Sequence, residues 1–345
     1  MSKRATSFDV AREAGVSRTT VSLVLNHVEN ISINDDTRKR VLEAAQKLKY
    51  HPDASGRKLV TGKSAMIGLV LQQSPAQVFA DAFLLREMIA IEQAVAQHGF
   101  HVLLKPLDPA EPDGYSQLIN ENHVDGILLS GPREDDVEII QCFNEGFPVM
   151  LLGQLAGSDI PFVDINAIEG AAEATRHLIS LGHHRIGMIT NASLEYTSAQ
   201  QRRQGFIEAL EQANIQPDDR LFKEGAYTPA SGFQAMVELL QSPELPTAVF
   251  VASDVVAVGA MQAIKQAGLR IPQDIALIGF DDVPMTAYFD PPLTTIRLPA
   301  YQLGWTAGKR LVRLILGKPL EEKGVLLSTE LVTRESTTGK LNFRS

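Results

Sequence analysis

Cysteine is almost absent from this sequence: Cys142 is the single one in 345 residues. One thiol can form neither an internal disulfide nor a cysteine metal cluster, which fits a reducing compartment. Long hydrophobic runs are missing as well. No stretch approaches the roughly 18 consecutive apolar residues of a membrane span, and Met1-Ser2-Lys3-Arg4 leads into polar residues where an export signal needs an apolar stretch. A cytoplasmic protein with no membrane partner is expected. There is also no glycine-rich phosphate loop and no nucleophile elbow, so an enzyme reading has little to stand on and no cofactor is implied. Internal repeats and low-complexity tracts do not occur.

What is present is the composition of an ordinary globular chain, 44% hydrophobic and 21% charged, long enough for two or three domains. Its 32 Lys and Arg against 41 Asp and Glu give a net charge of −9. Residues 1–62 nevertheless hold 11 basic against 7 acidic side chains, a net of +4 that leaves −13 on the remainder. A small basic module on a large acidic one suggests a polyanion-binding head joined to a body with another task.

The head reads as three helices. Between Ser7 and Asn26 two helical stretches are broken at Gly15, where a sharp turn needs positive φ, and Ser7 and Ser17 stand at N-cap positions. Val10, Ala11 and Ala14 form one apolar stripe and Val21, Val24 and Leu25 the facing one. A third helix follows, with Asn34 as cap, Asp35 and Asp36 at its positive end, and Val41, Leu42, Ala45 and Leu48 expected on its inner face. Three helices of this kind place the second in the DNA major groove. Off the core stripe of that helix lie Arg18, able to donate twice to a guanine edge, Thr19, able to bond a base, and Leu23, matched to a thymine methyl.

From Ala65 onward short apolar runs alternate with amphipathic helical stretches. Residues 66–71, 101–104, 126–129 and 148–152 read as buried parallel strands, and 185–189, 248–252 and 276–280 as a second set. Helices are expected over 83–97 and 135–145 and from about 168, 198, 231 and 254. Two β-α series imply two doubly wound α/β lobes with ligands beyond the carboxyl ends of the strands. Asp281-Asp282 and His183-His184 invite a metal reading, but neither pair has partners nearby, and histidines between Gly182 and a strand ordinarily serve capping and solvation. Polyol recognition fits the strand ends better: planar groups pair with hydroxyls and aromatic rings cover a sugar face. Phe79, Phe83, Tyr196, Tyr288 and Phe289 are candidate stacking groups, and Phe280 reads as core.

The run Asp9-Val10-Ala11, Ala14-Gly15-Val16-Ser17, Thr20-Val21-Ser22, Leu25-Asn26, Thr37-Arg38, Val41 and Tyr50-His51-Pro52 resembles the lactose-repressor and galactose-repressor family of bacterial transcription regulators. The resemblance continues through Gly68-Leu69-Val70, Gly182 to Ile186, Arg202 with Gly205-Phe206, Gly279 to Asp282, and Pro292 to Ile296. It implies a helix-turn-helix head over 1–49, a hinge over 50–62, and a two-lobed, periplasmic-binding-protein-like core over 63–345 whose lobe crossovers fall near 161, 291 and 322. The implied protein is a homodimer that binds a pseudo-palindromic operator and represses a sugar-utilisation operon, associated with the nucleoid when on DNA. Ser17, Arg18, Thr19, Thr20, Ser22, Leu23 and Asn26 are the implied reading residues. In the hinge, which on composition alone is a flexible linker, the resemblance makes Leu59 a minor-groove wedge, with Arg57 serving phosphates. Gly56 departs there from the usual alanine, which weakens a hinge helix by about 1 kcal/mol.

For the effector, the resemblance makes Arg202 and Asp281 the main hydrogen-bonding pair, with Ser253, Phe79, Phe83 and Tyr196 around them. Ser253 stands where many relatives carry asparagine and Asn166 where aspartate is common. These departures leave a sugar, a phosphorylated sugar or a purine open. The last residues, 334–345, show no heptad, so a dimer rather than a tetramer is expected. The competing reading is a solute-binding protein or sugar-metabolising enzyme on the same lobes; neither accounts for the basic head.

Overall fold

The computed structural model describes residues 5–25, 33–50, 63–107 and 114–338. The chain divides into two compact units, residues 1–65 and 66–345. In the first, helices α1 (Ser7–Ala14), α2 (Arg18–Leu25) and α3 (Asp35–Lys47) close on a small core of Val10, Ala14, Val21, Val24, Val41 and Ala45. Gly15 turns the chain at φ 65°, a left-handed conformation that a side chain would resist. The cap of α1 is Thr6 rather than Ser7: its hydroxyl accepts from the Asp9 amide while the Asp9 carboxylate accepts from the Thr6 amide, a reciprocal pair one residue earlier than the first serine suggests. On α3 the inner face is Val41, Ala44 and Ala45, and Leu42 is exposed. One residue is a rotation of about 100°, which carries Leu42 away from the stripe that Val41 starts.

The second unit holds two parallel sheets of six strands each among the described residues. In the first lobe, β1 (Met66–Leu71), β2 (His101–Pro106), β3 (Gly126–Ser130), β4 (Val149–Leu152), β5 (Phe162–Ile165) and β11 (Gly324–Leu327) lie in the order β11-β5-β4-β3-β1-β2. In the second, β6 (Ile186–Ile189), β7 (Phe222–Lys223), β8 (Ala248–Val251), β9 (Ala276–Asp281), β10 (Thr294–Arg297) and β12 (Glu330–Val332) lie in the order β12-β10-β9-β8-β6-β7, with β12 alone antiparallel to its neighbour. Strands flanked by helices on both faces bury nearly all their side chains, which is why β1, β4, β6 and β8, and β3 up to Ser130, are continuous apolar runs.

The strands missing from the sequence reading, β5, β7, β10, β11 and β12, have four residues or fewer and carry polar residues such as Asp164, Thr294 and Glu330. Their presence moves the crossings. The chain changes sheets after Ile165, Arg297 and Leu327, a few residues beyond the places near 161, 291 and 322 that the sequence suggested, because β5, β10 and β11 each complete one sheet before the chain leaves it. Helices α4 (Pro75–Ala80), α5 (Ala82–Ala96), α6 (Gly114–Asn120), α7 (Val137–Asn144) and α12 (Ala300–Ile315) belong to the first lobe. The second is covered by α8 (Ala167–Ser180), α9 (Thr197–Gln212), α10 (Pro229–Leu239), α11 (Asp254–Gln266) and α13 (Glu335–Thr338). No helix among the described residues is long and apolar enough to cross a membrane.

Helices α8 and α9 pack unusually closely. A Cβ on Gly205 would lie 2.0 Å from the Ile168 carbonyl oxygen, so only glycine fits there. Overpacking against backbone has no flexible partner to yield. Gly205→Ala is expected to destabilise the core by about 1–3 kcal/mol, read as a lower denaturant midpoint; an unchanged midpoint would show that the helices can separate without cost.

Candidate functional site

In the head, Ser17 stands just before α2, where its hydroxyl accepts from the Thr20 amide at 3.0 Å and pairs with the Thr20 hydroxyl at 2.9 Å. These two side chains fix the helix start. Arg18 and Thr19 follow it exposed, while Ser22 and Leu23 are half-buried. Leu23 therefore keeps only part of its surface for a partner, less than its spacing from Val21 suggested. Lys47 and Glu13, at 2.6 Å, tie α3 to α1. Asn26, Arg57 and Leu59 lie outside the described residues.

In the core, the carboxyl ends of both sheets face one cleft. Phe83, Arg202, Ser253 and Asp281 all line it. Arg202 reaches it from the second turn of α9, only 8% exposed. Its guanidinium donates to the Ala252 carbonyl, sits 4.2 Å over the Phe280 ring and stands 3.8 Å from Asp281. A buried guanidinium thus has a carbonyl, an aromatic face and a carboxylate around it, while its Nε is buried without a partner among the described residues. Phe280 is core, as its strand position suggested, and also the platform for the arginine.

Asp281 ends β9 at φ 121° and Asp282 follows at φ 52°, two left-handed conformations in succession. Strain of this kind, of order 1–3 kcal/mol each, persists only where the surroundings hold it. The turn sends the two carboxylates apart. Asp281 points to the cleft and accepts from the Ser253 hydroxyl at 3.1 Å and the Asp254 amide at 3.4 Å. Asp282 is gripped by Arg297 and Arg334, each at 2.7 Å. Asp254 is buried structure too, accepting from the Thr295 hydroxyl at 2.7 Å and the Val283 amide at 3.0 Å. Among the described residues no group of three or more His, Cys, Asp and Glu could hold a metal ion, and His183 is bonded to the Thr247 hydroxyl at 3.0 Å.

Other candidates are placed differently. Phe79 is exposed outside the cleft, Tyr288 is exposed on a short 3-10 turn, and Phe289 packs on the second lobe's core. Tyr196 does not line the cleft. It is buried at the rim, donating its hydroxyl to the Gln72 carbonyl across the lobes and meeting the edge of Tyr227 at 5.6 Å. Tyr227, which does line the cleft, is the aromatic that sequence reasoning passed over. It sits at φ 53° in a loop with no strand or helix period to mark it. Asn166 caps α8 by accepting from the Glu169 amide at 3.2 Å.

Three acids of the first lobe also line the cleft and had no sequence signal: Asp81, Glu87 and Asp164. Glu87 projects from α5 and is 3% exposed. Burial, then the charges of Asp81 and Asp164, push its pKa up to about 8. Burial raises Asp164 to about 6, against hydrogen bonds from Gln154 and the Ile165 amide. Asp281 rises to about 7, burial outweighing the pull of Arg202.

Comparison with known proteins places these features in a lineage. Residues 8–53 match the family described as bacterial regulatory proteins, lacI family, and residues 175–337 match the periplasmic binding protein-like domain. The HTH-type transcriptional repressor PurR of Mannheimia succiniciproducens is 34% identical over 339 residues, covering 96% of this chain and 98% of that protein. PurR of Pasteurella multocida is 34% identical over 98% of this chain and all of its own length. Among solved structures, the lac repressor dimer bound to operator and the anti-inducer ONPF aligns with a TM-score of 0.82 at 30% identity, over 97% of this chain and 99% of that one. The complex of the transcriptional regulator CelR with cellobiose aligns with a TM-score of 0.74 at 31% identity, over 96% of this chain and 100% of that one.

An acid whose pKa is raised on folding favours the folded state below its unfolded value and loses that advantage as pH rises through the folded one. For Glu87 the window runs from the ordinary 4.5 to about 8. Glu87→Gln is therefore expected to melt above the parent at pH 8, the gap shrinking by roughly 1 kcal/mol per pH unit on the way down and closing near 4.5. Melting curves of both proteins across that range check it; a gap independent of pH would mean that Glu87 folds as an ordinary exposed acid.

Proposed function

This chain belongs to the lacI family of bacterial regulatory proteins, and on that premise we propose that it represses a sugar-utilisation operon, binding a pseudo-palindromic operator as a homodimer and a sugar-like effector in the cleft between its core lobes. It is a ligand-responsive DNA-binding repressor by its relatives. The observation that carries the finer reading is the buried Arg202 between the lobes. A guanidinium with an unfilled Nε, an aromatic ring beneath it and Asp281 beside it matches the fixed donor and acceptor directions of a sugar's hydroxyls. The CelR–cellobiose complex gives the sugar reading its precedent in a similar fold.

In the proposed action, Arg18 and Thr19 at the open end of α2 read base edges, and Ser17, Thr20, Ser22, Leu23 and Asn26 contribute further DNA contacts. Arg57 and Leu59 act at the hinge as phosphate contact and minor-groove wedge. In the core, an effector that touches both lobes favours one lobe arrangement by its difference in affinity for the two, which is the only way it can shift the equilibrium. Work at an operator places the protein in the cytoplasm, on the nucleoid when bound.

The two sites separate under mutation. Arg18→Ala is expected to weaken an operator selected from a palindromic library by about 1–3 kcal/mol while leaving effector binding as in the parent. Arg202→Ala and Asp281→Ala should keep the operator and lose effector affinity by roughly tenfold to over a hundredfold, since each leaves polar groups of ligand and site unpaired. Fluorescence anisotropy with operator and calorimetry with effector measure the two; unchanged effector affinity in both core variants would move the pocket elsewhere. Leu59→Ala should bind that operator more weakly and bend it less, as shown by gel mobility of permuted fragments; parental bending would leave the hinge a tether.

A further inference from the structure

Arg202 and Asp281 account for the second lobe's side of the cleft. The opposite wall is built of acids that this pair leaves unused. Asp81 caps α5, its carboxylate accepting from the Phe83 amide at 2.9 Å, and Asp164 accepts from Gln154 at 2.9 Å. Glu87, buried beside them, has neither a hydrogen bond nor an ion pair to any described residue. On its far side α12 brings Leu303 and Gly304 against α5, the glycine letting the two helices touch at the Glu87 carbonyl.

The remaining unfilled groups point the same way. Gln73 Oε1 and Asn191 Oδ1 are buried acceptors without a partner among the described residues, and both residues line the cleft. Against these acceptors the cleft offers one cation among its described lining residues, Arg202. Buried acceptors left unfilled are costly, so a ligand that binds well brings donors to them. This wall already resists its own charges: burial with Asp81 and Asp164 holds Glu87 up at about 8. A phosphate or carboxylate placed there would add like charge at close range in a water-poor space.

We propose that the cleft takes a polyhydroxyl ligand that carries no negative charge, and that Glu87 is the residue that selects it, accepting or sharing a proton with a ligand hydroxyl and turning away phosphorylated and carboxylated counterparts. This rests on the reading of the cleft as the effector site. It narrows that reading to a charge class and assigns the selection to a side chain on the first lobe. Below about pH 8 Glu87 holds a proton that it can share with a hydroxyl, and above it the ionised group adds to the repulsion from Asp81 and Asp164; glutamine removes that charge without opening a cavity, because it keeps the shape.

The test uses the full chain and matched probes: glucose, galactose and cellobiose, each beside its 6-phosphate, with gluconate and galacturonate as the carboxylated arm. Calorimetry on the parent is expected to find binding among the neutral sugars, with the phosphorylated partner of any binder at least about 100-fold weaker. At pH 9, where Glu87 is ionised, Glu87→Gln should narrow that ratio by about tenfold or more, whereas a purely structural role would shift both members of a pair alike. An anionic probe binding as tightly as its neutral partner, no binding by any neutral probe, or an unchanged ratio in Glu87→Gln at pH 9 overturns the proposal. Arg202→Ala separates the two levels. If it abolishes binding of an anionic probe, the cleft is the effector site and only the charge selection is wrong; if the bound probe, neutral or anionic, keeps its affinity, the cleft reading itself fails.

Discussion

A guanidinium buried between two lobes is the constraint on which the rest of the core depends. Burying an arginine costs free energy unless its donors and its charge are met, and here the means of meeting them come from separate parts of the chain. The Ala252 carbonyl at the end of β8 takes one donor, Phe280 on β9 supplies the ring below, and Asp281 supplies charge. Gly205, one turn along α9 from Arg202, lets that helix press on α8. Strand ends, helix packing and site geometry are consequently one problem with one solution.

The acids around the cleft divide by what holds them. Asp254 and Asp282 are saturated by hydroxyl, amide and guanidinium donors and fix the ends of β9 and β10. Asp281 is turned the other way by two successive positive φ angles. Glu87 has no hydrogen-bond or ion-pair partner among the described residues and keeps its proton well above the ordinary range. Adjacent carboxylates thus divide into structural and cleft-facing sets through backbone turns and burial rather than through residue type.

Contacts across the rim join the lobes outside the cleft. Arg133 pairs with Glu195 at 2.9 Å and lies 5.3 Å from the centre of the Tyr196 ring, the Glu134 amide donates to the Glu195 carbonyl, and Gln77 donates to the Ala226 carbonyl. These are polar, partly exposed contacts, each worth little alone. One hydrophobic cluster, from Leu84 and Leu303 through Ile165 and Ala167 to Phe280 and Ile296, also runs across the two lobes, so a change in their relation repacks that cluster as well as these contacts.

Much of this was legible in the order of residues. Periodicity alone separates the head from the core, finds three helices and seven of the strands, and puts Gly15 at a turn, because stripes at 3.6 residues and apolar runs at strand length are local consequences of burial. The motif around Arg202 and the Gly279 to Asp282 stretch marks two cleft residues in advance. Leu42, the cap at Thr6 and the crossing strands were not legible, since a one-residue rotation, a reciprocal hydrogen bond and a four-residue edge strand leave weak local traces. Nor were Glu87, Asp164 and Tyr227, which carry no motif. A glutamate among the apolar residues of α5 looks like an ordinary solvent-facing position until α12 and the cleft wall enclose it. Sequence determines which segments can bury a face; only the packing of distant segments decides which polar groups are carried inside with them, because desolvation depends on neighbours that are remote in the chain.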